Sequence, residues 1–204
     1  YQAKKAGRNA LCFFDPGMQR MVTARADMEK DLRRALEQNQ FKLYFQSQVY
    51  RNSQIVGAEG LLRWQHPERG LVSPLEFIPL AEKTGLILPI GQWVLETALT
   101  QLKVWECNLH TRHLRLAVNV SARQFRHPDF VVQIQQALRS NLINPELLKL
   151  ELTESLVLDN INDTIVKMHA LREIGVRCSL DDFGTGYSSF SYLTKLPLDQ
   201  LKID

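Results

Sequence analysis

Two stretches decide the fold: Leu147-Leu148-Lys149-Leu150-Glu151-Leu152-Thr153-Glu154, and Val176-Arg177-Cys178-Ser179-Leu180-Asp181-Asp182. Each is a short apolar run that ends in carboxylates, and between them Ile161 to Ile174 reads as a helix. An apolar strand, a helix and a second apolar strand make a βαβ unit, whose strands lie parallel under covering helices. The same alternation extends in both directions. Upstream lie a helix over Pro128–Ser140, a strand over Leu114–Val120 and a helix over roughly Gly91–Glu106. Before these, Ser73-Pro74-Leu75-Glu76 has the composition of a helix start, with Ser73 as cap, Pro74 first and Glu76 completing a capping box. That helix runs to about Lys83 and stops at Gly85. Phe41–Val49 and Ile55–Trp64 flank a turn-rich Tyr50-Arg51-Asn52-Ser53 and read as an antiparallel pair. Downstream, a short helix near Ser189–Lys195 precedes a last strand, Leu198–Asp204, the sixth of the main domain.

The amino end reads differently. Ala3 to Gly7 resembles a helix end, Ala10 to Phe14 a short buried strand, and Asp15-Pro16-Gly17 a turn. Such a fragment cannot bury a core alone, so residues 1–22 read as the tail of an upstream domain. Residues 23–40 read as linker and first helix, with Met28, Leu32, Ala35 and Leu36 on one face. The main domain is 41–204.

Composition excludes several classes. No run of about 18 apolar residues spans a membrane, and the polar start is not a secretory leader. The chain begins with Tyr1 rather than Met, which suggests a segment of a longer protein. Cys12, Cys107 and Cys178 are odd in number and widely spaced, which fits a reducing cytoplasm and not a disulfide framework. Lys and Arg number 25 against 22 Asp and Glu, a net charge of +3 that argues for neither DNA nor membrane lipid as partner.

The informative residues stand where apolar strands end. Asn119 closes one strand, Glu151 the next, Asp181 and Asp182 the third, and Lys202 the last, while Glu59 interrupts the second. In a parallel β/α barrel the carboxyl ends of the strands converge on one face. A lone acid at a strand end ordinarily faces solvent; five in succession mark a site. Clustered carboxylates repel unless a positive charge lies between them. Oxygen donors of this kind suit Mg²⁺ or Mn²⁺ rather than zinc. Paired ions of that type are suited to phosphodiester cleavage, with Lys202 orienting or helping to deprotonate the attacking water. Arg63 has the planar donor set for a phosphate. Asp182-Phe183-Gly184-Thr185-Gly186-Tyr187-Ser188-Ser189 lacks phosphate-loop spacing and reads as a mobile loop over the site.

Six motifs in order resemble the EAL-type cyclic di-GMP phosphodiesterases. They are Glu59-Gly60-Leu61-Leu62-Arg63-Trp64, Phe77-Ile78-Pro79-Leu80-Ala81-Glu82, Asn119-Val120-Ser121, Glu151-Leu152-Thr153-Glu154-Ser155, Asp181-Asp182-Phe183-Gly184-Thr185-Gly186 and Lys202-Ile203-Asp204. The amino end resembles the close of a GGDEF domain, as in tandem GGDEF–EAL proteins. The resemblance implies a TIM-like (β/α)8 barrel with an antiparallel first strand, two Mg²⁺ or Mn²⁺ ions, and hydrolysis of cyclic di-GMP to linear pGpG. It implies Glu59, Asn119, Glu151 and Asp181 as metal ligands, Asp182 as the acid of the second metal and Lys202 as the water contact. Gln46, Leu62 and Arg63 would line the substrate, and Glu154 would steady the Asp-Asp-Phe-Gly loop, which in the family also joins dimer contacts. A homodimer is the expected form.

Three departures from the pattern stand out. Gly60 replaces the usual Ala and Ser47 the usual Pro. Two further strands, carrying another metal-binding Glu and a Gln, follow the lysine in the family but not in these 204 residues. A barrel truncated after about the sixth strand leaves an open edge, so the expectation is an inactive fragment or part of a longer polypeptide. The alternatives to hydrolysis are a non-catalytic cyclic di-GMP sensor and a module that only regulates its cyclase neighbour.

Overall fold

The computed structural model describes residues 16–184 and 193–203. Helix α1 spans Pro16–Glu37, seven residues longer at its amino end than the expected helix from Thr23. Pro16 and Gly17 open this helix instead of closing a turn, since a proline at a helix start lacks only an N–H that would be unpaired anyway. The expected helix end at Ala3–Gly7 and strand at Ala10–Phe14 lie outside the described residues, as does most of the Ser189–Lys195 helix.

Strands β1 (Phe41–Tyr50) and β2 (Gln54–His66) pair antiparallel around a single 3₁₀ turn at Arg51–Ser53. The short β3 (Gly70–Val72) adds to β2 and was not foreseen. Helix α2 (Pro74–Thr84) is capped by Ser73 and ends at Gly85, whose φ of 84° is the left-handed stop that glycine supplies. The Ser73 hydroxyl accepts from Leu75 N and not from Glu76 N, so the expected capping box does not form there. The reciprocal box sits instead at Ser121 and Gln124, at the start of the four-residue α4 (Ala122–Phe125). Helix α3 (Ile87–Glu106) starts four residues before Gly91, since Pro89 falls in its first turn, where proline is tolerated. Then come β4 (Arg115–Asn119), α5 (Phe130–Asn141), β5 (Leu148–Thr153), the unforeseen α6 (Glu154–Asp159), α7 (Ile161–Ile174), β6 (Arg177–Phe183) and β7 (Gln200–Ile203).

The strand order is β1-β2-β4-β5-β6-β7, parallel from β2 onward. This is the α/β wall of a TIM-like barrel with an antiparallel first strand, carried through its sixth barrel strand. The register sorts the side chains into two faces. Glu59 lies level with Ala117, Asn119 with Glu151, Glu151 with Ser179, and Ser179 with Gln200. Side chains of this set bond between strands that are not neighbours, Lys149 to Gln48 and Lys202 to Glu59. Only the concave face permits such contacts, so this polar set lines the barrel interior.

The opposite face carries the apolar core. Leu116, Val118, Leu148, Leu150, Leu152 and Leu180 are buried with Leu99 and Leu102 of α3, Ile134 and Leu138 of α5, and Met168 and Leu171 of α7. A second cluster joins Leu32 and Ala35 of α1 to Phe41, Trp64, Phe77 and Ile90. Its rings meet at angles, Trp64 edge-on to Phe77 at 5.6 Å and Phe41 at 6.0 Å from Trp93. Burying each such side chain stabilises the fold by about 1.5–3 kcal/mol. Trp105 likewise packs on Phe45 at 5.8 Å.

Candidate active site

Glu59, Glu151 and Asp181 converge inside the barrel, each offering an oxygen within 4.8 Å of the others. They come from β2, β5 and β6. The ladder sets Glu59 level with Ala117 and Lys149, and Glu151 level with Ser179, so each acid stands two residues further along than the one before, and the tilt of barrel strands brings the three together. Lys202 of β7 binds all three: its Nζ donates to Glu151 Oε2 and Asp181 Oδ2 at 2.8 Å and to Glu59 Oε2 at 3.2 Å. Asn119 joins through its amide, whose Nδ2 donates to Glu59 Oε1 at 2.8 Å. Five of the residues singled out in the sequence therefore form one cluster.

Burial drives the electrostatics of this cluster. Burial lifts the Glu151 carboxyl above its ordinary pKa, and the hydrogen bond from Lys202 only partly opposes it. Burial alone would depress Lys202, but its bonds to Asp181 and Glu151 and the charges of Glu151 and Glu59 outweigh that and hold it above the ordinary lysine range. In this arrangement Lys202 is an ammonium that bridges the three carboxylates.

The chemistry of the donors fits a hard divalent ion. Glu151 is 1% exposed, and its Oε1 is buried without a hydrogen bond. Its charged neighbour there is Lys149 at 3.6 Å, beyond hydrogen-bond distance, and a coordinating cation would satisfy the lone pairs this leaves.

The remaining candidates are placed as follows. Gln46 lies opposite Glu59 on β1, on the same interior face. Arg63 is four residues beyond Glu59 on that face; its guanidinium sits 5.9 Å from the Tyr44 ring centre and donates to Leu62 O. Leu62 itself is on the other face and packs against both apolar clusters, so its side chain does not join the interior, where alternation puts Leu61 instead. Asp182 stands beside the cluster and outside its 4.8 Å group, with a left-handed φ of 55°. Glu154, 3% exposed, accepts the N–H of Gly184 at 3.1 Å and so grips the start of the glycine loop. Of that loop, Thr185 to Ser189 lie outside the described residues.

The sequence reading missed Lys149, Gln48 and Gln200. Lys149 is 6% exposed, and its Nζ donates to Gln48 Oε1 at 3.0 Å and Gln200 Oε1 at 2.8 Å. It also lies 3.6 Å from Glu151 Oε1. The signal was the alternation Leu148-Lys149-Leu150-Glu151, two polar residues at period two inside a nominally apolar strand. A separate cavity of about 800 Å³ lies among α3, α4 and α5 and touches the cluster only at Asn119.

The EAL domain family pattern matches residues 29–204. The chain belongs to the EAL domain family. Over its whole length it is 44% identical to the bifunctional diguanylate cyclase/cyclic di-GMP phosphodiesterase MucR of Pseudomonas aeruginosa, covering 30% of that protein. It is 37% identical to the cyclic di-GMP phosphodiesterase PdeR of Escherichia coli, covering 31% of it. This EAL chain thus spans about a third or less of these relatives. Among solved structures it resembles the PaMucR phosphodiesterase in complex with c-di-GMP, with a TM-score of 0.84 and 45% identity over 87% of this chain and 72% of that one. No described helix of this EAL chain is long and apolar enough to cross a membrane.

Proposed function

We propose that this EAL chain hydrolyses cyclic di-GMP to linear pGpG as part of a longer signalling protein. The observation that carries the reading is the convergence inside the barrel of Glu59, Glu151, Asp181, Asn119 and Lys202, contributed by five strands. The names of MucR and PdeR and the bound ligand of the PaMucR structure support the substrate. Glu59, Asn119, Glu151 and Asp181 hold a first Mg²⁺ or Mn²⁺, and Asp182 takes part in holding a second. Such ions, when bound, supply the Lewis acidity that a phosphate diester needs. Lys202 keeps the carboxylates in register with its three N–H groups, and one of these would turn to the attacking water when a bound ion takes over a carboxylate. Arg63 binds a substrate phosphate, Gln46 lines the substrate wall, and Glu154 fixes the loop that bears Asp182.

The longer protein carries a GGDEF domain upstream: residues 1–22 are its end, 23–40 the linker and 41–204 the EAL domain. It is cytoplasmic at this segment and forms a homodimer.

Chromatography of cyclic di-GMP incubated with the full-length protein tests the reading. We expect pGpG in Mg²⁺ and none in Ca²⁺, which is larger and does not enforce octahedral geometry. Glu59→Ala should abolish turnover. Intact substrate in both metals, with retained binding, would establish a non-catalytic sensor instead.

A further inference from the structure

Below the carboxylate cluster lies a second polar layer. Gln48, Lys149 and Gln200 are each two residues from a site residue: Gln46 on β1, Glu151 on β5 and Lys202 on β7. Two residues along a strand keep the same face and move about 6.7 Å along the strand. The layer therefore repeats, one tier deeper, the cross-barrel arrangement of the site. Lys149 is its centre, donating to Gln48 at 3.0 Å and to Gln200 at 2.8 Å. These two bonds reach the first and last strands of the path, which do not pair with one another among the described residues. The same ammonium stands 3.6 Å from Glu151 Oε1, the buried oxygen that makes no hydrogen bond.

We infer that Lys149 is a positioning residue: by tying β1 to β7 across the barrel it sets the spacing of Gln46, Glu151 and Lys202 in the tier above. The inference rests on the proposed phosphodiesterase reading for its catalytic consequence, but not for its effect on metal binding. A buried ammonium with two amide oxygens is held to one place, and displacements near 1 Å in such a frame cost up to about 100-fold in rate. Supporting bonds behind metal ligands are typically worth about 10–100-fold in metal affinity or activity.

Electrostatics alone predicts the opposite sign. A lysine beside Glu151 repels any cation bound there, so removing only its charge would tighten metal binding. Positioning predicts that Lys149→Met weakens it.

The test uses full-length protein with Mn²⁺ as probe, followed by electron paramagnetic resonance, alongside kcat, KM and thermal melting. Lys149→Met should lower Mn²⁺ affinity about tenfold or more and kcat by at least about tenfold, with KM changed less than about twofold. Tighter Mn²⁺ binding, or a lowered melting temperature with unchanged affinity and kcat, overturns the inference. Should Lys149→Met not fold, Gln48→Met and Gln200→Met each remove one of the two bonds; affinity lowered about threefold in each supports the role, and wild-type affinity in both refutes it. Wild-type protein that binds Mn²⁺ without cleaving cyclic di-GMP defeats the functional reading, while the affinity comparison still decides this one. Wild-type protein that binds no Mn²⁺ defeats both.

Discussion

Two lysines bracket the Glu151 carboxylate, Lys202 at 2.8 Å from one oxygen and Lys149 at 3.6 Å from the other. The contrast shows how burial and partners compete on the same residue type. Burial pulls the pKa of Lys149 down against the opposing charge of Glu151. Lys202 goes the other way, because three carboxylates accept from it. Cysteine reactivity follows the same rule. Cys178, on the apolar face of β6, is pushed up to about 12, by burial first and the charge of Asp199 second. Only about one molecule in 10⁴ then carries its thiolate at pH 8, and the thiolate is the form that attacks. Cys107 is exposed at the end of α3. Peptide-level mass spectrometry after iodoacetamide treatment at pH 8 should find Cys107 alkylated and Cys178 unmodified until the protein is denatured. Equal labelling of the two in native protein would contradict the burial of β6.

At the scale of elements, the parallel ladder between β2 and β4 tolerates no side chain at Gly57. A Cβ there would lie 2.4 Å from the carbonyl oxygen of Arg115, a backbone atom that cannot swing aside. Gly57→Ala should therefore destabilise the protein by about 1–3 kcal/mol, read as a lower urea midpoint; an unchanged midpoint would count against this register. The strands themselves were legible because their apolar residues and end-point acids repeat. Ser73, Pro74 and Gly85 likewise marked α2 by the chemistry of its ends. Short elements were not legible: β3, α4 and α6 are too brief for periodicity, and Ser121–Gln124 was passed over as a capping box. Pro16 and Gly17 misled because a proline suits a turn and a helix start equally. The largest oversight was an idea about faces. The strands were read as apolar throughout, so the interior positions Gln48, Lys149 and Gln200 drew no notice, and Leu62 was assigned to the wrong face. Strand alternation, applied to β5, separates the two faces without further information.

For the whole molecule, the apolar core lies outside the barrel wall, and the cluster of carboxylates and lysines lies inside it. On the proposed reading, the three converging carboxylates make the folded state the one that binds divalent ions. Mn²⁺ at about 100 times its dissociation constant adds about 2.7 kcal/mol of stability. For a protein of this size that is about 5–10 °C in melting temperature. Differential scanning calorimetry should show that rise in wild-type protein, its reversal by a chelator, and its loss in Glu151→Gln. A rise of equal size in Glu151→Gln would place the ion elsewhere. The cluster was legible as a set because each member ends or interrupts a strand, whereas its pairwise geometry depends on register, which one sequence does not reveal.

Lys202 meets Glu59 across 143 positions of chain. At about 5–20 residues per second of synthesis, that separation is about 7–30 s on the ribosome. The trio is complete only once Asp181 is made, 21 residues before Lys202, so for about 1–4 s a nascent chain that has brought β2, β5 and β6 together holds it with Lys149 as the one lysine of this set yet made. The arrival of β7 supplies the missing counter-charge, so the acidic trio gains its bridging ammonium only when that strand joins the wall.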